Sequence, residues 1–132
     1  MGVDFLSDER FAGETAPILL GYSAAAGDLA RRLFRRHRVI THVFCARVPF
    51  LRRFSLTMKF HPVHGFDRDE LLLTALEDFA DGSGNPDAIL YLIPATRRAA
   101  ALIRANRDRL EPRYVIASPA ELRRLFRVPK AE

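Results

Sequence analysis

Six consecutive residues, Ala88-Ile89-Leu90-Tyr91-Leu92-Ile93, are apolar on both parities of an extended chain and lie between the breaker Gly82-Ser83-Gly84-Asn85-Pro86 and Pro94. A half-solvated strand alternates apolar and polar side chains. A strand with no polar parity must be covered on both faces, the condition of a central strand in a parallel sheet. That condition demands helices above and below the sheet, and hence strands alternating with helices along the chain.

The rest of the chain supplies that alternation. Residues 17–21, Pro-Ile-Leu-Leu-Gly, read as a short strand, and a 3.6-residue period begins at Ala26. On that helix Arg31, Arg32, Arg35 and Arg36 oppose Leu29, Ala30, Leu33 and Phe34, so the arginines form its solvated side. Residues 39–45 are β-branched and aromatic, and residues 55–61 carry Leu56, Met58 and Phe60 at period two. Asp67-Arg68-Asp69-Glu70 fits a capping box ahead of the stripe Leu72, Ala75, Leu76 and Phe79. After the apolar strand, a helix over residues 97–106 turns Ala99, Leu102 and Ile103 inward, and residues 114–117 make a fifth strand. Ser118-Pro119-Ala120-Glu121 is a further capping box, with proline at the first helical position. The expected fold is α/β, a three-layer Rossmann-like domain on a mainly parallel five-stranded sheet of order 3-2-1-4-5. Residues 1–16 read as an N-terminal extension, 17–128 as the domain and 129–132 as a tail.

Composition narrows the partners. A chain of 132 residues builds one core, and none of its apolar runs approaches the roughly 18 to 20 residues that span a bilayer. Its first ten residues carry Asp4, Asp8 and Glu9 and lack a secretory pattern, so a cytoplasmic setting is the expectation. The net charge of +5 invites a nucleic-acid reading, but the arginines follow the solvated face of a helix, which argues against it. The single Cys45 sits in an apolar run and reads as a buried, inert thiol. His61-Pro62-Val63-His64 lacks a third metal ligand, and Pro62 opposes a helical pairing of the two imidazoles. Neither a catalytic triad nor a metal site is read from the chain.

In a doubly wound sheet the ligand crevice lies beyond the carboxyl ends of the strands where the winding reverses, here between strands one and four. The loop Gly21 to Gly27 brings backbone amides and the Ser23 hydroxyl there, and Pro94-Ala95-Thr96-Arg97-Arg98 opens the helix opposite. Helix N-termini, Thr96 and the forks of Arg97 and Arg98 suit a carboxylate or phosphate; alternatively Thr96 only caps and the arginines face solvent. The spacing of Gly21 and Gly27 matches neither dinucleotide nor P-loop fingerprints, and Arg47 stands where a dinucleotide site wants an acid.

Several short signatures occur in a fixed order: the glycine turn before the first helix, Arg53-Phe54-Ser55 before the third strand, Ile93-Pro94-Ala95-Thr96, then Asn106-Arg107-Asp108 with Leu110. That order, over about residues 17–126, resembles the N-terminal, pre-ATP-grasp domain of ATP-grasp carboxylate-amine ligases. The resemblance implies a domain that shapes a carboxylate or amine pocket, with Gly21, Ser23, Gly27, Arg53, Ser55, Thr96, Arg97 and Arg98 as ligand-side residues. It also implies that ATP and magnesium are held by a catalytic ATP-grasp portion that these 132 residues do not include. The chain is then expected not to catalyse alone. Expected partners are a separate catalytic chain or a second copy, meeting a patch around Leu122, Leu125, Phe126 and Val128 on the last helix. The alternative is an independent module that binds a small anion or nucleotide without help.

Overall fold

The computed structural model describes residues 15–48, 56–82 and 88–126. Within them the chain runs β1 (Thr15–Leu20), α1 (Ala24–His37), β2 (Thr41–Cys45), β3 (Met58–Pro62), α2 (Asp69–Asp81) and β4 (Ile89–Pro94). It continues through α3 (Arg97–Ala105), α4 (Arg107–Leu110), β5 (Val115–Ile116) and α5 (Pro119–Leu125). The strands form one parallel sheet in the order β3-β2-β1-β4-β5, as the sequence predicts. β1 and β4 pair along their whole length, from Thr15 opposite Ile89 to Leu20 opposite Pro94.

Strand parity sorts the core into two halves. Ile18, Leu20, Phe44, Leu90 and Leu92 face one way and are covered by Leu72, Leu73 and Leu76 of α2, Leu102 and Ile103 of α3 and Leu110 of α4. Leu19, Val43, Cys45, Tyr91 and Ile93 face the other way and meet Leu29, Ala30 and Leu33 of α1 and Leu125 of α5. Tyr91, Leu92 and Ile93 are all fully buried, which bears out the reading of β4 as covered on both faces. The chain winds outward from β1 through β2 to β3, then returns to β4 and proceeds to β5 in the opposite direction. Crossovers of one hand then put α1 on one face and α2, α3 and α4 on the other, while α5, which follows the last strand, packs on the α1 face.

β2 starts at Thr41, β3 runs Met58–Pro62 and β5 keeps only Val115–Ile116, each a shift of one to three residues, and three further differences have a visible origin. β1 begins at Thr15, two residues early, because Thr15 and Ala16 pair with Ile89 and Leu90. α2 begins at Asp69 and its cap position is Arg68, which makes no side-chain capping bond, so Asp67 is not the cap. The reason lies one turn upstream. Gly65 takes a positive φ of 78° and its carbonyl accepts from the Arg68 N–H, so Asp67 is spent inside a turn before the helix opens. The Asn106-Arg107-Asp108 segment, expected as a turn, makes the short helix α4.

The last helix is closed down. Its capping box is complete, with Ser118 Oγ accepting from Glu121 N at 3.1 Å and Glu121 Oε1 accepting from Ser118 N at 2.9 Å. Leu125 is fully buried, Leu122 and Phe126 are partly buried against the same core, and Arg32 of α1 donates to the Leu125 carbonyl at 3.0 Å. Burying a leucine side chain contributes roughly 1.5 to 3 kcal/mol, so Leu125 holds α5 to the domain. The expected apolar patch is therefore turned inward at all three described positions, and Val128 lies outside the described residues.

Candidate functional site

The crevice beyond β1 and β4 is built by the way each strand ends. Leaving β1, Gly21 donates its N–H to the Phe44 carbonyl at 2.8 Å and turns at φ +91°; leaving β4, Ala95 donates to the Leu20 carbonyl at 2.9 Å. The two loops are thereby brought into contact. A Cβ placed on Gly21 would lie 3.2 Å from Thr96 Cγ2 and 3.4 Å from Thr96 Oγ1. Only glycine combines that φ with so close a neighbour.

From these loops start α1 and α3. Ser23 is the α1 cap, its Oγ accepting from Ala26 N at 3.1 Å, and Thr96 caps α3 in the same way from Ala99 N at 3.1 Å. Both hydroxyls serve the helix starts, and the N–H groups of the first two residues of each helix have no partner within the helix. Arg97 is exposed on the first turn of α3. Arg98 leans away toward the start of α2. It donates to the Phe66 carbonyl at 3.2 Å, pairs with Asp69 at 3.3 Å and lies over the Phe66 ring. Gly27 is buried inside α1, where a Cβ would come within 2.8 Å of Tyr22 Oη, so its bareness admits the Tyr22 ring. Tyr22 in turn packs edge-on against Phe60 of β3. Gly21 and Thr96 are thus brought together, Ser23 and Arg97 flank them on the helix starts, and Arg98 and Gly27 have neighbours of their own. Arg53 and Ser55 lie outside the described residues.

A second cluster, at the α2 side of β2 and β3, was not evident as a unit in the sequence. The register sets Phe44 opposite His61, which leaves His42, two residues earlier on β2, diagonal to it on the same face. His42 Nδ1 and His61 Nε2 come within 2.9 Å; Phe79 packs against both rings and Phe44 against His61 and Phe79. Burial, then the neighbouring His61 and Lys59, lowers the His42 pKa to about 4, and burial followed by Lys59 lowers that of His61. A groove of about 510 Å³ opens beside His61, His64, Leu71 and Asp78, and another of about 380 Å³ beside His42, Ala88, Leu90 and Asp78; Phe79 borders both. His64 stands on the larger groove and does not join the pair. Among the described residues no three potential ligands converge to hold a metal ion. The only sequence signal was three histidines near two strands, and register decides which of them meet.

Cys45 is buried and unpaired, and burial pushes its thiol pKa up, away from the reactive thiolate form. Among the described residues no helix is long and apolar enough to cross a membrane. No family model, curated protein or solved structure matches the chain.

Proposed function

We propose that this chain is a Rossmann-like binding module, related to the substrate-side domain of ATP-grasp carboxylate-amine ligases, that holds a small carboxylate or phosphate where α1 and α3 begin. The observation that carries the reading is the bare Gly21 Cα pressed against Thr96, 3.2 Å from a Cβ it does not have. That contact sets two helix N-termini side by side at the point where the sheet's winding reverses. Unpaired N–H groups and helix dipoles add there, and Arg97 is exposed at the first position of α3. Chemically the arrangement binds and orients an anion; no nucleophile or general base among the described residues of the crevice acts on it.

Of the two ways such a module works, alone or as a docking unit for a catalytic ATP-grasp chain, the inward-turned Leu122, Leu125 and Phe126 favour the first. ATP and magnesium belong to the reading only with a catalytic partner. Calorimetric titration of the purified chain with inorganic phosphate, acetate and free amino acids tests it. Arg97→Ala should weaken the bound anion about tenfold, the loss expected for one charge-assisted bond. Arg98→Ala should weaken it less, since Arg98 is engaged with Asp69. Equal affinity in wild type and Arg97→Ala would remove the crevice as the site. Phosphate release from ATP and magnesium by the chain alone would contradict the non-catalytic part.

A further inference from the structure

The imidazoles of His42 and His61 meet Nδ1 to Nε2 at 2.9 Å, with ring centroids 5.1 Å apart and planes inclined by 29°. The centroid separation is close to the nitrogen separation plus one ring radius at each end. The rings therefore meet edge to edge, with the two nitrogens aimed at one another and a single hydrogen between them. A neutral imidazole has one N–H and one bare nitrogen, so this bond forces the same tautomer on both rings. With the hydrogen on His42 Nδ1, His61 carries its own on Nδ1; with the hydrogen on His61 Nε2, His42 carries its own on Nε2. In either state the pair presents one donor and one acceptor at its outer ends, His42 Nε2 and His61 Nδ1.

Those ends belong to residues that border different grooves, His61 the larger and His42 the smaller, with Phe79 between them. We propose that His42 and His61 form one acid–base site for a small planar ligand carrying an exchangeable hydroxyl or amine, and that the pair passes a proton between the grooves by a joint change of tautomer. A hydrogen given by the ligand's hydroxyl or amine to the bare His61 Nδ1 moves the shared one from His61 Nε2 to His42 Nδ1, and the hydrogen on His42 Nε2 leaves to water in the smaller groove. One proton enters, one departs, and the pair stays neutral throughout.

The surroundings suit that chemistry. Phe44, Phe79 and Leu71 give a planar molecule apolar walls. Among the described residues, the charged and titratable groups around the pair are Lys59 beside it on β3, His64 on the turn that follows, and Asp78 from α2 on both grooves. From β1 and β4 the smaller groove receives Ala16 and Leu90, which carry no charge. Burial and Lys59 disfavour a net cation on the rings, which favours exchange of hydrogens over uptake of charge. The site is separate from the crevice between β1 and β4 and does not depend on it.

Nitrogen-15 NMR of the histidine rings in the full chain at neutral pH, followed by titration with phenol as the protic probe, tests the proposal. The expected result is like tautomers on His42 and His61, with phenol shifting the nitrogens of both rings along one saturation curve. In His61→Gln, which stays polar but cannot exchange tautomers, the His42 response should be lost; His61→Phe serves should that variant unfold. Unlike tautomers on the two rings overturn the shared hydrogen. Response of a single ring overturns the relay, and response of neither overturns the protic ligand.

Discussion

Gly21 answers two demands at once, a φ of +91° and the nearness of Thr96. Alanine there would strain the backbone and press on the Thr96 methyl, so Gly21→Ala should cost about 1 to 3 kcal/mol in urea unfolding. A cost of only a few tenths would mean that Thr96 swings aside freely. His42 makes a different prediction. Its pKa is about 4 in the folded chain, against roughly 6.5 for an unperturbed imidazole. Such a group binds more protons unfolded than folded, so its contribution is complete above about pH 6.5 and is lost as pH falls toward 4. Discounted for its partial exposure, the loss is about 1 to 2 kcal/mol. The paired carboxylates Glu70, Glu77 and Asp81 are held below their usual range by Arg109 and Arg113 and weaken only at lower pH. Chemical denaturation from pH 7 down to about 5 therefore isolates the effect of the imidazoles, and because His61 is lowered in the same direction His42→Phe should make the slope shallower without abolishing it. A wild-type profile flat across that interval would contradict the depressed pKa.

α4 shows how an element too short to stand alone is held. Four residues cannot sustain a helix in water. Leu110 is buried, and Tyr114 Oη just beyond donates to the Leu76 carbonyl of α2 at 2.7 Å. Arg109 bridges Glu70 and Glu77 through four bonds of 2.8 to 2.9 Å, while Arg113 pairs with Asp81 at 2.8 Å. Arg109→Gln should lower the melting temperature by an amount that shrinks as salt is added, because these ion pairs lie near solvent. A salt-independent loss would point to packing instead. For α5, Ser118→Ala removes one half of a complete capping box and should cost about 1 kcal/mol in the same unfolding assay. That cap was legible in Ser118 and Glu121 because a capping box is local chemistry. The start of α2 was not. Asp67 and Glu70 carry the same pattern, but the turn at Gly65 shifts the helix onset by one residue.

At the scale of the molecule, what could be read from the chain was what depends on parity and order. The apolar run at residues 88–93 announced a strand covered on both faces, and the alternation of elements sufficed for the order β3-β2-β1-β4-β5. The loops that meet at the crevice followed from that order, since Gly21 and Thr96 end adjacent strands. What could not be read depends on register and side-chain direction. Nothing in the spacing of His42, His61 and His64 says which two will touch, and nothing in Thr96-Arg97-Arg98 says that Arg98 leans to Asp69. The inward turn of Leu125 was equally hidden, because an amphipathic helix looks the same in sequence whether its stripe meets its own core or another protein.

The sheet order also sets a schedule. β1 lies at the centre of the sheet, yet its neighbour β4 spans Ile89–Pro94, some seventy residues later. A ribosome that has delivered β1, α1, β2 and β3 has not yet supplied the strand that completes β1, nor α3 and α4, which close the core over Ile18 and Leu20. The nascent half-domain therefore carries an open β1 edge with apolar side chains exposed beside it, the condition under which chains seek other chains. A fragment ending at Gly82 should accordingly show no slow amide exchange in β1 and should associate in light scattering. Protected β1 amides in a monomeric fragment would show that the first half folds without waiting. Until β4 emerges, the first half of the sheet stays open along β1.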